Sequence, residues 1–321
     1  MSFPVFDLPC DTALALLGES LRECGSLKKN DGMLDLQRAG ELPGFAQCFA
    51  CFTTPYMQQW HNVSPITVFE RELATILREI EKNRDVISLA YSAEDVEKNC
   101  KKGLMSAILT IEGPAGFEFD PALLEDLYKI GFRITSLGWN EQNILAGSHK
   151  TGGGLTDKGR QYVKEAQRLG MIVDVSHISD EAFWDIMDVT EGPVVASHSN
   201  SRSVCDNSRN LTDEMFLAIC RTGGVAGFNQ CAPFVGQKPD LDTSCDHFLH
   251  FLELDPSGKH IALGGDLDGC DELPEGFLGV QDYPALAQKL LDRGVPSKTV
   301  MDIFWNNALG VMKLAVHNNK K

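Results

Sequence analysis

The chain has 321 residues, of which 43% are hydrophobic and 23% are charged, as is typical of a globular protein with a large core. Its 29 basic and 45 acidic residues give a net charge of −16, which argues against nucleic acid or an anionic membrane as a partner, because both bind basic surfaces. No apolar run approaches the ~20 residues of a membrane span, and no leader-like segment opens the chain. We therefore expect a cytoplasmic protein.

The predicted strands are short apolar runs, typical of parallel strands buried on both faces. In chain order they are FPVFDL (3–8), AQCFACF (46–52), MSAILTIEG (105–113), FRITSLGW (132–139), MIVDVSH (171–177), PVVASH (193–198), GGVAGFN (223–229) and HIALGGDLDG (260–269). Amphipathic helical segments separate most of them. This alternation predicts a single (β/α)8 TIM barrel over residues 1–321. A doubly wound sheet would need a glycine-rich turn after the first strand, and none is present.

The chain has ten cysteines, which we expect to be reduced and mostly buried, because disulfides are rare in the cytoplasm. Cys48 and Cys51 have the CxxC spacing of redox and zinc sites. On a strand, residues three apart point to opposite faces of the sheet. No second pair and no nearby His supports a site, so we expect this pair to be structural.

Five polar side chains fall at the carboxyl ends of predicted strands. They are Asp11, Glu112, His177, His198 and Asp266. Barrel enzymes build their active sites on this rim. Carboxylates and imidazoles that converge there suit one or two zinc ions, which activate water and polarise carbonyl groups for hydrolysis. A single buried His more often only completes a hydrogen bond, so the prediction of a metallohydrolase depends on the shared position of all five.

The segments that carry these residues resemble the renal (membrane) dipeptidase family of zinc metallopeptidases, in its bacterial form. The resemblance covers almost the whole chain and rests on IEGP (111–114), LYKIGFRITSLGWNEQN (127–143), GLTDKGRQYVKEAQRLGMIVDVSHIS (154–179), PVVASHSNSR (193–202), SRNLTDEMF (208–216) and HIALGGDLDG (260–269). It implies a (β/α)8 barrel with a two-zinc site that hydrolyses dipeptides. It also implies a homodimer as the candidate assembly.

The resemblance implies a role for each rim residue. Glu112 would bridge the two zinc ions and share in catalysis. His177 and His198 would complete the ligands of the second ion, and Asp11 would bind the first ion. Asp266 would pass the proton of the attacking water to the leaving amine.

Three further residues are implied to contact the substrate. Arg209 would hold the carboxylate of the dipeptide with its planar guanidinium group. Trp139 falls where mammalian relatives have a His that faces the substrate carbonyl, and Trp-Asn is common there in bacterial relatives. Asn140 is then a candidate to stabilise the oxyanion, after the metal itself.

One ligand that the family leads us to expect is missing. Two residues before Asp11, where relatives have a His, this chain has Pro9, which offers no nitrogen donor. A thiolate from Cys10 could bind zinc, but on an extended segment its side chain points away from positions 9 and 11. We therefore expect one tightly bound zinc at the second site, and a second zinc that is weak or absent.

Two loop segments contain residues of types that bind metals. In DGMLDL (31–36), Met33 stands where a ligand motif would have His, and we expect Asp35 to be a solvated surface acid. The stretch HKTGGGLTDKG (149–159) is expected to be a flexible loop after the fourth strand. His149 in this loop is expected to be solvated, with the alternative that the loop folds over the rim.

The sequence thus predicts a zinc-dependent dipeptidase that hydrolyses L-Xaa-L/D-Xaa dipeptides through metal-activated water, with activity reduced by Pro9. The small dipeptide is the expected partner. Two alternatives stay open. One is a family member with an impaired metal site that binds peptides or amino-acid derivatives without efficient turnover. The other is a hydrolase of a different amide.

Overall fold

Eight parallel strands form a nearly closed barrel in the computed structural model, which describes residues 2–21 and 25–318. The strands are β1 (Val5–Cys10), β2 (Phe45–Phe52), β3 (Ile87–Leu89), β4 (Met105–Glu112), β5 (Phe132–Ser136), β6 (Ala146–Ser148), β7 (Gly152–Leu155), β8 (Ile172–Asp174), β9 (Val194–Val195), β10 (Ala226–Phe228) and β11 (Ile261–Leu263). All except β3, β6 and β7 are barrel strands, and β3 pairs with the start of β4.

The barrel strands follow the chain order around the sheet, from β1 through β2, β4, β5, β8, β9 and β10 to β11. The last strand, β11, returns to pair with β1 through Leu263 and Asp7. Strands β9 and β10 are joined by a parallel bridge between Ala196 and Ala226. The predicted (β/α)8 fold is confirmed, and its eight barrel strands are the eight predicted strands.

Helices on the outside connect the strands and cover the barrel. They are α1 (Thr12–Ala15), α2 (Leu36–Ala39), α3 (Met57–His61), α4 (Pro65–Lys82), α5 (Ala93–Lys101), α6 (Leu124–Ile130), α7 (Asp157–Leu169), α8 (Asp180–Val189), α9 (Asp213–Thr222), α10 (Ala232–Val235), α11 (Leu241–Leu254), α12 (Tyr283–Asp292), α13 (Ser297–Met301) and α14 (Asn307–Asn318). A Ser or Thr side chain caps several of them, and Thr156, Ser179 and Thr212 begin α7, α8 and α9 in this way. None of the described helices has the length and apolar composition that crossing a membrane would need.

The apolar residues form two main layers. One cluster lies inside the barrel and continues onto α14, and the other lies between the strands and the surrounding helices. Cys48 belongs to the inner cluster and Cys51 to the outer one, so the two thiols point to opposite faces, as their spacing predicts. The nine described cysteines form no disulfide, and five of them are buried. The tenth, Cys24, lies outside the described residues.

Two expectations about loops were wrong. The segment after β5 forms an antiparallel hairpin of β6 and β7 instead of a flexible loop. Its backbone is tied to the end of β8, because the His149 N–H donates to the His177 carbonyl at 2.8 Å. Asp35 is buried, not solvated, because it caps α2 through the Arg38 N–H and pairs with the Arg38 guanidinium at 2.9 Å.

Candidate metal centre

Three metal-binding side chains converge at the carboxyl ends of β4, β8 and β9. The Nε2 atoms of His177 and His198 lie 2.8 Å apart, and Glu112 Oε1 lies 3.1 Å from the first and 3.8 Å from the second. All three side chains are buried. The residues come from strands that are separate in the sequence, so it is closure of the barrel that brings them together.

Hydrogen bonds behind the two imidazoles fix their tautomers. His177 donates from Nδ1 to Asn140 Oδ1 at 3.0 Å. His198 donates from Nδ1 to Ser197 Oγ at 2.7 Å, and Ser197 in turn donates to Asp174 Oδ2 at 2.5 Å. Both Nε2 atoms are therefore left with a free lone pair that faces the site, the usual arrangement of a metal-bound His with its supporting acceptor.

The electrostatics of this group favour a cation. Burial and the nearby Arg209 lower the pKa of His177 and His198 well below the usual range, so both rings are neutral. Burial, reinforced by the charges of Asp11 and Asp266, raises the pKa of Glu112, and its Oε2 is buried without a hydrogen-bond partner. Lone pairs facing one another at 2.8 Å repel each other, and a divalent cation between them would relieve that repulsion. The donor set, two imidazoles and a carboxylate, fits zinc.

Two further carboxylates lie at the same rim, on the side of β1 and β11. A Cβ built on Gly269 would lie 2.5 Å from Asp266 Oδ1 and 3.0 Å from Asp11 Oδ2, so these two carboxylates flank the glycine backbone. Asp11 Oδ1 is buried without a partner, and burial with the charge of Asp266 raises its pKa well above the usual value. Asp266 Oδ2 accepts from Asn229 Nδ2 at 3.2 Å.

Position 9, the place of the missing ligand, does face the inside of the barrel. Pro9 lines a small interior cavity together with Glu112, Asp174 and Ser197. The pairing of β1 with β2 shifts register between Asp7 and Pro9, at the residue that has no N–H to donate. On the described residues, the first metal side therefore offers carboxylates and no imidazole.

Cys10 does not replace the missing imidazole in this structure. Its side chain is fully buried in the cluster between the strands and the helices, the direction expected from strand geometry. Burial raises the pKa of its thiol well above the usual value. Its sulfur points away from the rim, and this direction, not the pKa of the thiol, keeps Cys10 from an ion held there.

Arg209 brings a buried positive charge to the site. Its Nη1 donates to Ser199 Oγ at 2.6 Å, whereas Nε and Nη2 are buried with no hydrogen-bond partner. Burial lowers the pKa of this arginine, and the carboxylates of Asp266 and Glu112 oppose that effect. Two unpartnered N–H groups along one edge of a guanidinium are the donors that a bidentate carboxylate would use.

Trp139 and Asn140, the other two predicted substrate contacts, differ in their surroundings. Trp139 is half-buried beside the site, with its ring 6.1 Å from that of His177 and 5.7 Å from that of Trp60. The Asn140 side-chain oxygen is already used, because it accepts from His177 and, at 2.8 Å, from His149 Nε2. Asn140 is therefore placed to orient the His177 ring as a metal ligand. Its proposed role in stabilising the oxyanion stays a prediction.

His149 is not solvated as expected. The hairpin of β6 and β7 carries it over the rim, where it contacts Asn140 and Ser208. Burial and the charge of Arg209 lower its pKa to about 4. The ring is therefore neutral and belongs to the hydrogen-bonded wall of the site.

Three supporting residues were missed by the sequence reasoning. Asp174 accepts from the backbone N–H groups of Ser176 and Ser197 at 3.0 and 2.9 Å, so it organises the segment that carries His198. Asn229 links the His198 carbonyl to Asp266. The acid within VDVSH was the available signal for Asp174, because an acid inside a buried strand requires partners. Ser197 and Asn229 had no comparable signal.

Comparison with known proteins identifies the family. A family model described as membrane dipeptidase, peptidase family M19, matches residues 1–321. A protein of Schizosaccharomyces pombe described as an uncharacterized dipeptidase is 36% identical over 233 residues, which cover 70% of this chain and 57% of the yeast protein. The match therefore spans little more than half the length of that relative.

Solved structures share the barrel. A metallopeptidase from Rhodobacter sphaeroides, solved with a phosphinate mimic of the dipeptide L-Ala-D-Ala, is 24% identical with a TM-score of 0.86, covering 98% of this chain and all of that chain. A structure described as the dipeptidase AC, a metallopeptidase of family M19, is 25% identical with the same TM-score, covering 98% of this chain and 99% of that chain. The match of the family model over the whole sequence shows that the chain belongs to the membrane dipeptidase family of metallopeptidases, M19.

Proposed function

We propose that this protein is a zinc-dependent dipeptidase that works with one tightly bound zinc ion. The observation that supports this most strongly is the meeting of two neutral imidazole nitrogens and a buried carboxylate, with the two nitrogens 2.8 Å apart. Glu112, His177 and His198 would hold the ion and leave an open position. A zinc ion held in this way lowers the pKa of water and polarises a carbonyl group.

The remaining rim residues handle the proton and the substrate. Asp266 accepts the proton of the attacking water and delivers it to the leaving amine, a role for which its burial-raised pKa is suited. Arg209 binds the substrate carboxylate through Nε and Nη2, the two donors without a protein partner. Trp139 forms an apolar wall beside His177.

The substrate class follows from Arg209, which is placed to bind a carboxylate, and from a relative. A buried arginine close to the metal ligands selects a substrate whose free carboxylate lies near the cleaved bond, as it does in a dipeptide. The Rhodobacter metallopeptidase was solved with a mimic of L-Ala-D-Ala, and we extend that class to this chain as L-Xaa-L/D-Xaa.

The first metal side is proposed to bind zinc weakly or not at all. Asp11 supplies a carboxylate there, but Pro9 supplies no donor, and Cys10 faces the helix layer. A second ion that shared Glu112 would have to be held by carboxylates alone. We propose that catalysis proceeds without it, at a reduced rate. A cytoplasmic location and a homodimer stay predictions.

The experiment is hydrolysis of L-Ala-D-Ala by the purified protein with added zinc, beside Pro9→His and His198→Ala. The proposal expects zinc-dependent turnover by the parent and loss of turnover in His198→Ala. Turnover by Pro9→His alone would support the alternative of a metal-impaired family member that only binds peptides. If neither the parent nor Pro9→His hydrolysed L-Ala-D-Ala but both hydrolysed another amide, the alternative of a hydrolase with a different amide substrate would be favoured.

A further inference from the structure

A second group of metal-binding side chains lies at the opposite end of the barrel. Cys220 is in the last turn of α9, Asp255 follows the end of α11, and His260 precedes β11. One ligand atom from each lies within 4.8 Å of the other two, and all three residues are half-buried. These elements end or begin at the amino-terminal face of the barrel, away from the rim that carries Glu112.

The carboxylate of this group has an unused oxygen. Asp255 Oδ1 accepts from the Ser257 N–H at 3.1 Å and the Ser257 hydroxyl at 2.6 Å. Its Oδ2 is buried and has no hydrogen-bond partner. A buried carboxylate oxygen without a partner requires an explanation, and an ion is one of the usual ones.

The imidazole is held as a metal-bound imidazole is usually held. His260 donates from Nδ1 to the Gly224 carbonyl at 2.8 Å, which leaves Nε2 with its lone pair. The loop that carries it is anchored by Asn307, whose Nδ2 donates to the carbonyls of Gly258 and Ile261 at 2.7 Å. The backbone on both sides of the imidazole is therefore fixed before any ion binds.

The local field also favours a cation. Helices α9 and α11 both direct their carboxyl ends at this group, and the carboxyl end of a helix carries partial negative charge. Burial, reinforced by the charge of Asp255, raises the pKa of the Cys220 thiol to about 12, and Arg221 is the cation that opposes this effect. An ion that took the Cys220 sulfur as a ligand would displace the thiol proton.

We propose that Cys220, Asp255 and His260 form a second zinc site, separate from the catalytic centre. Thiolate, imidazole and carboxylate are three zinc ligands, and water would complete the tetrahedron. Tetrahedral zinc would bring the donor atoms to within about 4 Å of one another, a small closure from their present spacing. The ion would tie together two helix ends and the start of β11, at the face of a barrel that serves stability.

Cobalt separates this site from the catalytic one, because the catalytic donors include no sulfur. Co²⁺ added to the metal-free protein should produce thiolate-to-cobalt charge-transfer absorption. That absorption should be lost in Cys220→Ser and kept in Cys205→Ser, a matched half-exposed thiol elsewhere. It should also persist in His198→Ala, which weakens only the catalytic site.

The other two ligands provide the second part of the test. His260→Gln and Asp255→Asn should each weaken cobalt binding by at least about tenfold, judged by the same absorption. Absence of the absorption in the parent, or its survival in Cys220→Ser, would overturn the proposal. So would unchanged affinity in both His260→Gln and Asp255→Asn, since three ligands would then not be in use. These two variants also decide the question if Cys220→Ser does not fold.

Discussion

The two sides of the catalytic rim differ in how completely they are built. On the side of β8 and β9, each imidazole has a fixed tautomer and a supporting acceptor, Asn140 for His177 and Ser197 with Asp174 for His198. On the side of β1, Asp11 has a carboxylate oxygen without a partner, and Pro9 occupies the ligand position. The contrast indicates that one metal position is preorganised by the protein, whereas the other lacks the imidazole donor expected at position 9.

The largest loss of activity should come from removing a metal ligand on the side of β8 and β9. His198→Ala should lower kcat/KM for L-Ala-D-Ala by more than a hundredfold and abolish tight zinc binding at the centre, because loss of a supporting residue alone costs roughly 10–100-fold. Metal content and steady-state kinetics measure both effects. The control is His250→Ala, which removes a half-buried imidazole paired with Asp213 instead. Equal losses in the two variants would mean that the effect is general destabilisation.

Substitution of Arg209 should give the next largest loss of activity. Arg209→Lys should lower kcat/KM for dipeptides by roughly ten- to a hundredfold, because Lys cannot offer the paired donors of a guanidinium and a hydrogen bond to a charged group contributes about 1.5–3 kcal/mol. Arg202→Lys is the matched control, since that arginine pairs with Asp180 on the surface side. An unchanged KM in Arg209→Lys would remove the arginine from substrate binding.

The supporting hydrogen bond should matter less than a ligand. Asn140→Ala should weaken zinc affinity by roughly tenfold, because His177 loses the acceptor that orients its ring. Zinc competition with a chelator measures the change, and Gln142→Ala, an exposed amide on the same loop, serves as the control. If kcat fell with zinc affinity intact, Asn140 would instead act on the oxyanion.

The smallest effect on activity, with a distinct effect on stability, should come from Asp7 in β1. Burial raises the pKa of this carboxyl from 3.8 to about 6, so ionisation destabilises the folded state as pH rises from about 4 to about 6. At about 1.36 kcal/mol per unit, Asp7→Asn should raise the free energy of unfolding at pH 7 by up to about 3 kcal/mol. The gain should disappear below pH ~4, where the parent is protonated in both states.

Denaturant unfolding at pH 7 and at pH 3.5 measures this difference, with the exposed Asp206→Asn as the control. A gain of the same size at both values of pH would exclude a titration of Asp7 as its source.

The positions of the main site residues were predictable because they depend on strand ends. Once the eight strands are assigned, Glu112, His177 and His198 must meet at one rim. The orientation of Asn140 was not predictable, because it depends on the hairpin of β6 and β7 and on the left-handed backbone of His177, whose φ is 71°. Glycine-rich sequence there indicated flexibility, whereas backbone hydrogen bonds between β6 and β7 formed the hairpin.

Short sequence patterns were also insufficient where the folded surroundings of a residue decide its role. Asp35 reads as a surface acid until Arg38 and the start of α2 enclose it. The group of Cys220, Asp255 and His260 has no ligand spacing in the sequence, because three separate elements bring it together at the far end of the barrel.

The most direct test of the central claim is a zinc titration of dipeptidase activity. Metal-free Cys220→Ser protein, which lacks a ligand of the second proposed zinc site, is titrated with zinc while hydrolysis of L-Ala-D-Ala is followed. A single preorganised position predicts that activity rises with the first equivalent per chain and then stays level. Activity that begins only with a second equivalent, or no activity at any zinc concentration, would contradict a working centre built on Glu112, His177 and His198 alone.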